Sequence, residues 1–179
     1  MSQILPSTNL IPAVLTNAKV YKDGVDQLGV ATVEAPDFEY LTESLSGLGI
    51  AGEMDVPVAG HFKAQTLKIK WNTVNDKAVV LMQPIAHHIE VRANIQQLDT
   101  GSGKFVNKAV KIVAKSMPKK IGIGKFEPGK KMDSETELEI YYYKLWIGGK
   151  ELVELDKLNF IFVLNGVDQL AEVRANLGM

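Results

Sequence analysis

The sequence predicts one mainly β domain, an antiparallel β-sandwich or partial barrel with one or two short helices. Three observations predict this fold class. Polar and apolar residues alternate with a period of two over long stretches, such as 65–72 and 135–145. Asp-Gly, Gly-Gly and Asn-Gly pairs, which favour tight hairpin turns, separate such stretches. With 179 residues, 46% of them hydrophobic, the chain 1–179 suffices for one core and is too short for two.

The first residues, 1–12, are predicted to form an extended N-terminal arm. Pro6 and Pro12 are expected to prevent regular strand pairing there, because proline has no backbone N–H to donate. Ile4 and Leu5 are apolar and would be exposed on an isolated arm. We therefore expect the arm to pack on its own domain or on a neighbouring subunit.

A hairpin is predicted to follow the arm. The runs 18–22 and 25–33 flank Asp23-Gly24, a pair that readily adopts the positive φ angles of a two-residue turn. The two runs should therefore lie next to each other as antiparallel strands.

The segment 44–60 is rich in glycine and sparse in charge, and we predict a long loop there. A monomer surface would expose its apolar side chains Leu48, Ile50, Met54 and Val56. Two interpretations are open. Either the loop folds onto its own core, or another subunit buries it as an inter-subunit loop.

The next predicted elements are a strand and a short helix. Residues 65–72 place two lysines opposite a face of leucine, isoleucine and tryptophan, which indicates a half-buried strand. Asn75 or Asp76 is a suitable cap for a helix that Pro84 ends.

A long antiparallel pair is predicted after the helix. The first strand has Ile89, Val91, Ala93 and Ile95 on one face, and the opposite face carries the polar side chains of Glu90, Arg92, Asn94 and Gln96. A glycine-rich turn at 99–103 leads into the return strand, 105–114. The segment 117–131 contains prolines, glycines and lysines and is expected to be a loop or an irregular hairpin.

The last part of the chain is predicted to contain strands and a closing helix. The strand at 135–145 has three acidic side chains on one face, those of Glu135, Glu137 and Glu139. Strands at 150–156 and 158–164 follow, and the apolar spacing over 167–176 predicts a helix with Gly178 as its C-cap.

Composition excludes several classes of function. The formal net charge of −1 lacks the basic excess of proteins that grip nucleic acid. The absence of cysteine excludes disulfides, thiolate metal sites and thiol catalysis. No apolar run reaches the roughly 18 residues of a membrane helix, and the N-terminus does not resemble a signal peptide. No membrane insertion is expected.

No metal, cofactor or catalytic site is predicted. His87 and His88 are adjacent and would point to opposite faces of a strand, while His61 has no acidic residue at ligand spacing. The glycines of 47–52 match a dinucleotide-binding pattern, but neither the preceding strand nor the following helix is present. Ser102 lies in a hairpin turn without a nucleophile elbow. The three glutamates lack an aromatic-lined sugar cleft, so we expect a protein that is not an enzyme.

The order of motifs at the C-terminal end resembles the major tail tube protein family of contractile-tailed bacteriophages, which includes R-type bacteriocin tubes. The motifs that carry this resemblance are Gly148-Gly149, Lys150-Glu-Leu-Val-Glu-Leu-Asp156, Asn165-Gly166-Val167-Asp168 and Arg174-Ala-Asn176-Leu177-Gly178. The resemblance extends more weakly to the opening hairpin and to the strand from Leu67 to Trp71 with its short helix.

The resemblance implies a structural subunit of the inner tube of a contractile phage tail. In that family, hexameric rings stack into a tube that conducts DNA during ejection. The implied partners are further copies of the chain, the tail sheath protein, a tape measure protein and a baseplate initiator, and DNA passes without specific binding. The implied location is the virion tail, which is assembled in the bacterial host cytoplasm.

Two sets of polar residues are candidates for the lumen lining of such a tube. The first is Glu135, Glu137 and Glu139, an acidic face that would repel phosphate, and the second is Glu90, Arg92, Asn94 and Gln96. The inter-subunit candidates are Ile4, Leu5, Leu48, Ile50, Met54 and Val56. Two alternatives stay open, the inner tube of a phage-tail-like bacteriocin or other contractile injection system, and a monomeric β-barrel that binds a small ligand.

Overall fold

The computed structural model describes residues 10–29, 31–74 and 76–179 and confirms a mainly antiparallel β fold. Two short helices accompany the strands, α1 (Asp76–Val79), which continues as a 3-10 turn (Val80–Met82), and α2 (Ala171–Asn176). The strands are β1 (Leu10–Lys22), β2 (Asp26–Gly29), β3 (Ala31–Glu34), β4 (Tyr40–Ser46), β5 (Glu53–Phe62), β6 (Thr66–Trp71), β7 (His87–Asp99), β8 (Lys104–Gly122), β9 (Ser134–Ile147), β10 (Lys150–Asp156), β11 (Ile161–Leu164) and β12 (Val167–Asp168).

The main sheet has ten strands and branches at β9. Its continuous path is β12-β11-β10-β9-β8-β7-β1-β2. One edge of β9 pairs with β8, whereas its other edge is shared by β6, which covers residues 134–139, and β10, which covers residues 142–147. Strand β3 pairs with the other edge of β6. The sheet therefore has two arms beyond β9, one formed by β6 and β3 and the other by β10, β11 and β12. The branch brings both arms against one core, and the sheet does not close into a barrel within the described residues.

The core lies on one side of the long strands. It consists of apolar side chains from both arms and from α1, with Trp71 as its largest member. The Trp71 indole donates a hydrogen bond of 3.0 Å to Thr136 Oγ1, which satisfies the buried N–H. Buried alternating positions include Leu67 and Ile69 of β6 and Ile89 of β7, as the period of two predicts.

The predicted hairpin turn at Asp23-Gly24 is confirmed, with φ angles of 53° and 74°. Asn165-Gly166, predicted only to end a strand, also forms a hairpin turn, between β11 and β12, with φ angles of 50° and 84°. Two successive positive φ angles are typical of the type I′ turn, whose twist matches that of the flanking strands. The Gly148-Gly149 pair has the same sign of φ at both positions.

The segment 44–60 is not a loop. It forms most of the β4–β5 hairpin, a separate two-stranded sheet in which Ser44 pairs with Asp55 and Leu45 with Met54. Residues 47–52 form its connection. The alternation that reveals a strand reflects one buried face, and most residues of both these strands are exposed, so the sequence pattern is absent.

Two other element boundaries differ from the expectation. Strand β8 continues to Gly122, because register shifts after Lys115 and after Pro118 accommodate the proline inside a paired strand. The closing helix begins at Ala171, since residues 167–168 form β12. Of the predicted apolar stripe of this helix, Leu170 is buried, whereas Leu177 is 58% exposed.

Most of the predicted arm, residues 1–9, lies outside the described residues. Leu10, Ile11 and Pro12 begin β1 and pair with β7. The expectation that Pro12 prevents strand pairing is therefore wrong, and a register shift between Pro12 and Val14 accommodates the ring. No helix among the described residues is long and apolar enough to cross a membrane.

Candidate interaction surfaces

Both predicted sets of polar residues lie on the same side of one sheet. Ile89 and Val91 of β7 and Leu138 and Ile140 of β9 belong to the core, so the residues between them point away from it. The registers of β7 with β8 and of β8 with β9 align these strands side by side. We call this side of β1 and β7–β10 the polar face; it carries Glu90, Arg92, Asn94, Gln96, Glu135, Glu137 and Glu139.

Glu90 is the most buried charge of the polar face. Its side chain is 6% exposed and forms ion pairs with Arg92 and with Lys111, whose Nζ lies 3.3 Å from Glu90 Oε1. Burial raises the pKa of Glu90, but the hydrogen bonds from Arg92 and Lys111 outweigh it, so the pKa lies below its usual value. The Arg92 guanidinium also donates to Gly24 O at 3.0 Å and stacks 4.6 Å from the Tyr21 ring centre.

A second cluster surrounds Lys144 on β9. Its Nζ lies 3.2 Å from Glu151 Oε2 and 3.1 Å from Glu154 Oε2. Burial lowers the pKa of Lys144, and the hydrogen bonds to Glu154 and Glu151 outweigh that effect and raise it. Lys144 and Lys111 both lie over the Trp146 ring, at 5.7 Å and 5.6 Å from its centre. Because Lys111 contacts both Glu90 and Trp146, the clusters of Glu90 and Lys144 form one network across strands β7 to β10.

The glutamate stripe of β9 is charge-balanced and not acidic. Lys120 Nζ lies 3.2 Å from Glu137 and 3.9 Å from Glu135, and Lys119 Nζ lies 3.6 Å from Glu139. The three glutamates are partly buried between β6 and β8. The expected acidic surface is therefore wrong, because two lysines of the neighbouring strand pair with the three carboxylates and Lys157 Nζ, a third cation, lies 3.5 Å from Glu139.

Sequence reasoning missed the residues that neutralise the polar face. Lys111, Lys144 and Trp146 were not singled out, nor were Glu151 and Glu154. One signal was available: the Gly148-Gly149 turn pairs β9 with β10 and sets Glu151 beside Trp146 and Glu154 beside Lys144. The ion pair with Glu90 depends on the β7–β8 register, which local pattern does not reveal.

The β4–β5 hairpin is held to the body through its base. An aromatic cluster joins them, with ring centres 4.9 Å apart for Phe62 and Phe162, 5.2 Å for Phe38 and Tyr143, and 4.6 Å for Tyr40 and Phe62. Beyond this cluster the hairpin has little cover. An isolated two-stranded hairpin is marginally stable in water, so this element depends on further contacts.

The apolar inter-subunit candidates of the hairpin are unequally exposed. Leu48 in the connection is fully exposed and Met54 is half-exposed, whereas Ile50 and Val56 are partly buried. The candidates Ile4 and Leu5 lie outside the described residues. The hairpin therefore presents an apolar surface of the kind that marks contacts between proteins.

Strand β1 has an open edge. It pairs with β7 over its whole length, but with β2 only over Val20–Lys22, so residues 10–19 have a free backbone edge within the described residues. The side chains of Ile11, Val14 and Leu15 along it are more than half exposed. An open edge with apolar side chains is a template for pairing with another strand.

The structure contains neither a built metal site nor an apolar chamber among its described residues. No group of three acidic or histidine side chains there could hold a metal ion. His87 is buried, and its Nε2 lies 3.0 Å from Gln83 O. The apolar cavity between α1 and β8 measures about 10 Å³, roughly the least that one water molecule needs. The larger hollows, of about 180 to 400 Å³, are partly open to the surface. Because the sheet does not close among the described residues, the structure gives no support to a small-ligand barrel.

Comparison with known proteins identifies a family and two similar proteins. The family model of phage tail tube protein FII matches residues 12–178. The tail tube protein of Escherichia phage P2 is 29% identical over 176 residues, which cover 94% of this chain and 99% of that protein. The sheath/tube terminator of an extracellular contractile injection system, PVC, in its extended state, has a similar fold, with a TM-score of 0.52 and 12% identity over 75% of this chain and 96% of that one.

Proposed function

The chain belongs to the phage tail tube protein FII family, and from this premise we propose that it assembles into hexameric rings that stack into the inner tube of a contractile phage tail and conduct DNA. The observation that carries the proposal is the open edge of β1. A monomer gains nothing from an exposed apolar edge, whereas a ring of copies pairs and covers it.

The β4–β5 hairpin supports stacking. In the proposal, its apolar side chains Leu48, Ile50, Met54 and Val56 contact neighbouring copies, as do Ile4 and Leu5 of the N-terminal segment. Covering this hairpin would remove Leu48 and Met54 from water and stabilise an element that is marginal by itself. A repeating contact that does not close along one axis generates a filament.

The polar face lines the lumen in this proposal. It is the broad charged side of the long strands, and it carries both predicted sets, Glu90, Arg92, Asn94 and Gln96 and the stripe of Glu135, Glu137 and Glu139. The helix α1 covers the opposite side of the sheet, because Ala78 and Leu81 pack into the core. That opposite side would then face outward, towards the tail sheath protein.

The proposal includes the remaining partners and the place of assembly. We propose that a baseplate initiator and a tape measure protein nucleate the tube and set its length, and that assembly takes place in the host cytoplasm before the tube becomes part of the virion tail. The family implies a structural protein, and we propose no catalytic role.

Electron microscopy and cysteine labelling test the proposal. The sequence contains no cysteine, so single variants report one position each. In tubes of Gln96→Cys, on the polar face, and of Val80→Cys, on the outward side, a small maleimide should modify both. A maleimide coupled to a protein-sized carrier should modify Val80→Cys tubes and leave Gln96→Cys tubes unmodified.

Two results would contradict the proposal. If the protein forms no rings or tubes at any concentration, even with an initiator complex, the assembly is wrong. If the carrier modifies Gln96→Cys tubes as fast as Val80→Cys tubes, the polar face does not line the lumen. Unassembled protein is the control, in which the carrier should reach both cysteines.

A further inference from the structure

We propose that Glu151 and Glu154 keep the polar face from retaining DNA, because they neutralise Lys144 in a patch that would otherwise bind nucleic acid. This inference rests on the proposed function, which makes the polar face the wall of the DNA conduit. It assigns the two carboxylates a role in how freely DNA moves along that wall, beyond their part in holding β9 and β10 together.

The patch around Lys144 combines lysine side chains with aromatic rings. Lys111 and Lys144 flank the Trp146 ring, and Lys115 Nζ lies 5.1 Å from the centre of the Tyr142 ring on the same face. Lysines interleaved with aromatic rings are typical of surfaces that bind single-stranded nucleic acid without sequence preference, and the lysines of such a surface also attract the phosphates of a duplex. A conduit wall of this composition would hold the phosphates that pass it.

The carboxylates of Glu151 and Glu154 lie close to the ammonium group of Lys144. Glu151 Oε2 and Glu154 Oε2 both lie within 3.2 Å of Lys144 Nζ. In the register of β10 with β9, Glu154 is directly opposite Lys144 and Glu151 is opposite Trp146. The side chains of Lys144 and Glu154 are about one-fifth exposed and that of Glu151 is 36% exposed. The Lys144 side chain is therefore partly exposed on the polar face, and its ammonium group is paired there with two carboxylates.

Glu151 and Glu154 differ from Glu90, the other carboxylate of the network, in how deeply they are buried. Glu90 is almost fully buried beneath Arg92 and Lys111, so its removal would disturb the fold. Glu151 and Glu154 on β10 are more exposed than Glu90, and an amide in their place keeps the shape of the side chain. Lys144 would remain protonated without them, because a lysine that is partly exposed retains its charge at neutral pH.

The magnitude of the effect follows from counterion release. For each phosphate that a freed lysine neutralises, the logarithm of the binding constant falls with the logarithm of the salt concentration, with a slope of about −0.9. Between 50 and 200 mM salt, this slope corresponds to roughly a threefold loss of affinity per contact. Since every copy in a tube repeats the same lysine, one DNA segment would contact several of them. With two or more such contacts, we expect the DNA affinity of the variant tubes to fall about tenfold or more between 50 and 200 mM salt.

The experiment compares assembled tubes of Glu151→Gln/Glu154→Gln with tubes of the wild type. The probe is a fluorescent DNA duplex of about one and a half helical turns, and the readout is the fraction that sediments with the tubes at 50 and 200 mM salt. The control is Glu127→Gln/Glu172→Gln, which has the same change in net charge. It also frees Lys130, whose Nζ lies 2.6 Å from Glu127 in the loop after β8.

The expected result is strong, salt-sensitive retention by Glu151→Gln/Glu154→Gln tubes and weak retention by wild-type and control tubes. Adding Lys144→Met to the double variant should return retention to the wild-type level. If the double variant does not assemble, Glu154→Gln singly leaves Lys144 with one partner and should give intermediate retention. Equal retention by variant and control tubes overturns the inference, and so does retention that Lys144→Met leaves unchanged.

The outcome distinguishes the inference from the function on which it rests. Wild-type protein that forms no tubes, or tubes whose Gln96→Cys reacts with the bulky carrier, contradicts the proposed function itself. Tubes with a protected Gln96→Cys and no gain in DNA retention contradict the role of Glu151 and Glu154 and leave the conduit intact.

Discussion

At the scale of single residues, Gly60 is a position where the β4–β5 hairpin lies close to the body of the protein. Its φ angle is 70°, and a Cβ atom there would lie 2.4 Å from Leu170 Cδ1. Gly60→Ala should therefore lower the free energy of unfolding by about 2–4 kcal/mol, of which backbone strain contributes about 1–2 and overpacking the rest. Urea unfolding of the unassembled protein measures this value.

The matched control for Gly60 is Gly149. It has a φ angle of 80°, but a Cβ atom there would meet nothing within 4 Å. Gly149→Ala should show the backbone strain without the overpacking and be the less destabilised of the two variants. If both variants lose the same free energy of unfolding, Leu170 moves aside for the new methyl group without an energetic penalty.

Glu90 gives a pH-dependent prediction at the same scale. Its pKa lies below the ordinary 4.5 in the folded protein, so its contribution to stability is present above the unfolded pKa and is lost as the pH falls through the folded pKa. Glu90→Gln should reduce the free energy of unfolding by about 1–2 kcal/mol at pH 7. The difference from wild type should shrink below about pH 4.5 as the wild-type carboxylate is protonated.

Denaturant unfolding between pH 3 and pH 7 measures this difference. Glu172→Gln serves as the control, because Glu172 is exposed on α2 and should change stability little at any pH. If the difference in the free energy of unfolding between wild type and Glu90→Gln stays constant from pH 3 to pH 7, the shape of the Glu90 side chain, and not its charge, makes it stabilising.

At the scale of secondary-structure elements, local chemistry was predictable and long-range pairing was not. The turns at Asp23-Gly24 and Asn165-Gly166 follow from residue preferences over two positions. The β4–β5 hairpin has no buried face and hence no alternation to detect. Pro118 suggested a loop, but a bulge keeps it within β8.

The candidate surface shows the same division. Alternation placed Glu135, Glu137 and Glu139 on one face, which the structure confirms for the strand. The charge of that surface depends on Lys119 and Lys120 of the neighbouring strand, and strand register across the β8–β9 loop is set by core packing that a single sequence does not display.

Hydrogen exchange gives a prediction for the β4–β5 hairpin. Its strands are exposed and held mainly by the aromatic cluster at the base, so its amides should exchange rapidly in the unassembled protein. In assembled tubes, the amides of 44–58 should become protected if neighbouring copies cover the hairpin. The amides of β7 around Ile89, in the core, should be protected in both states and serve as the internal control. Rapid exchange of the hairpin in tubes would contradict its inter-subunit role.

At the scale of the whole molecule, the chain combines a buried core with two exposed apolar regions, the β1 edge and the β4–β5 hairpin. The core cluster joins both arms of the sheet, while the β1 edge and the β4–β5 hairpin leave apolar side chains in water. Neutralised charges on the polar face give a broad surface that does not attract phosphate strongly. Under the proposed function, folding depends on the core residues and assembly on the edge residues, so a substitution at an edge should affect assembly without affecting folding.

Leu15→Lys tests that separation. Leu15 is 59% exposed on the open edge of β1, so the substitution should change the free energy of unfolding of the unassembled protein by no more than about 0.5 kcal/mol. Ring closure through this edge would bury the new charge without a partner, and natural edge strands use lysine to prevent such pairing. We expect sedimentation velocity and electron microscopy to show subunits without tubes. Val25→Lys adds the same charge at a turn residue that is 85% exposed and should assemble as the wild type does. Normal tubes from Leu15→Lys would exclude the β1 edge from the ring contact and shift the search to the β10–β12 end of the sheet.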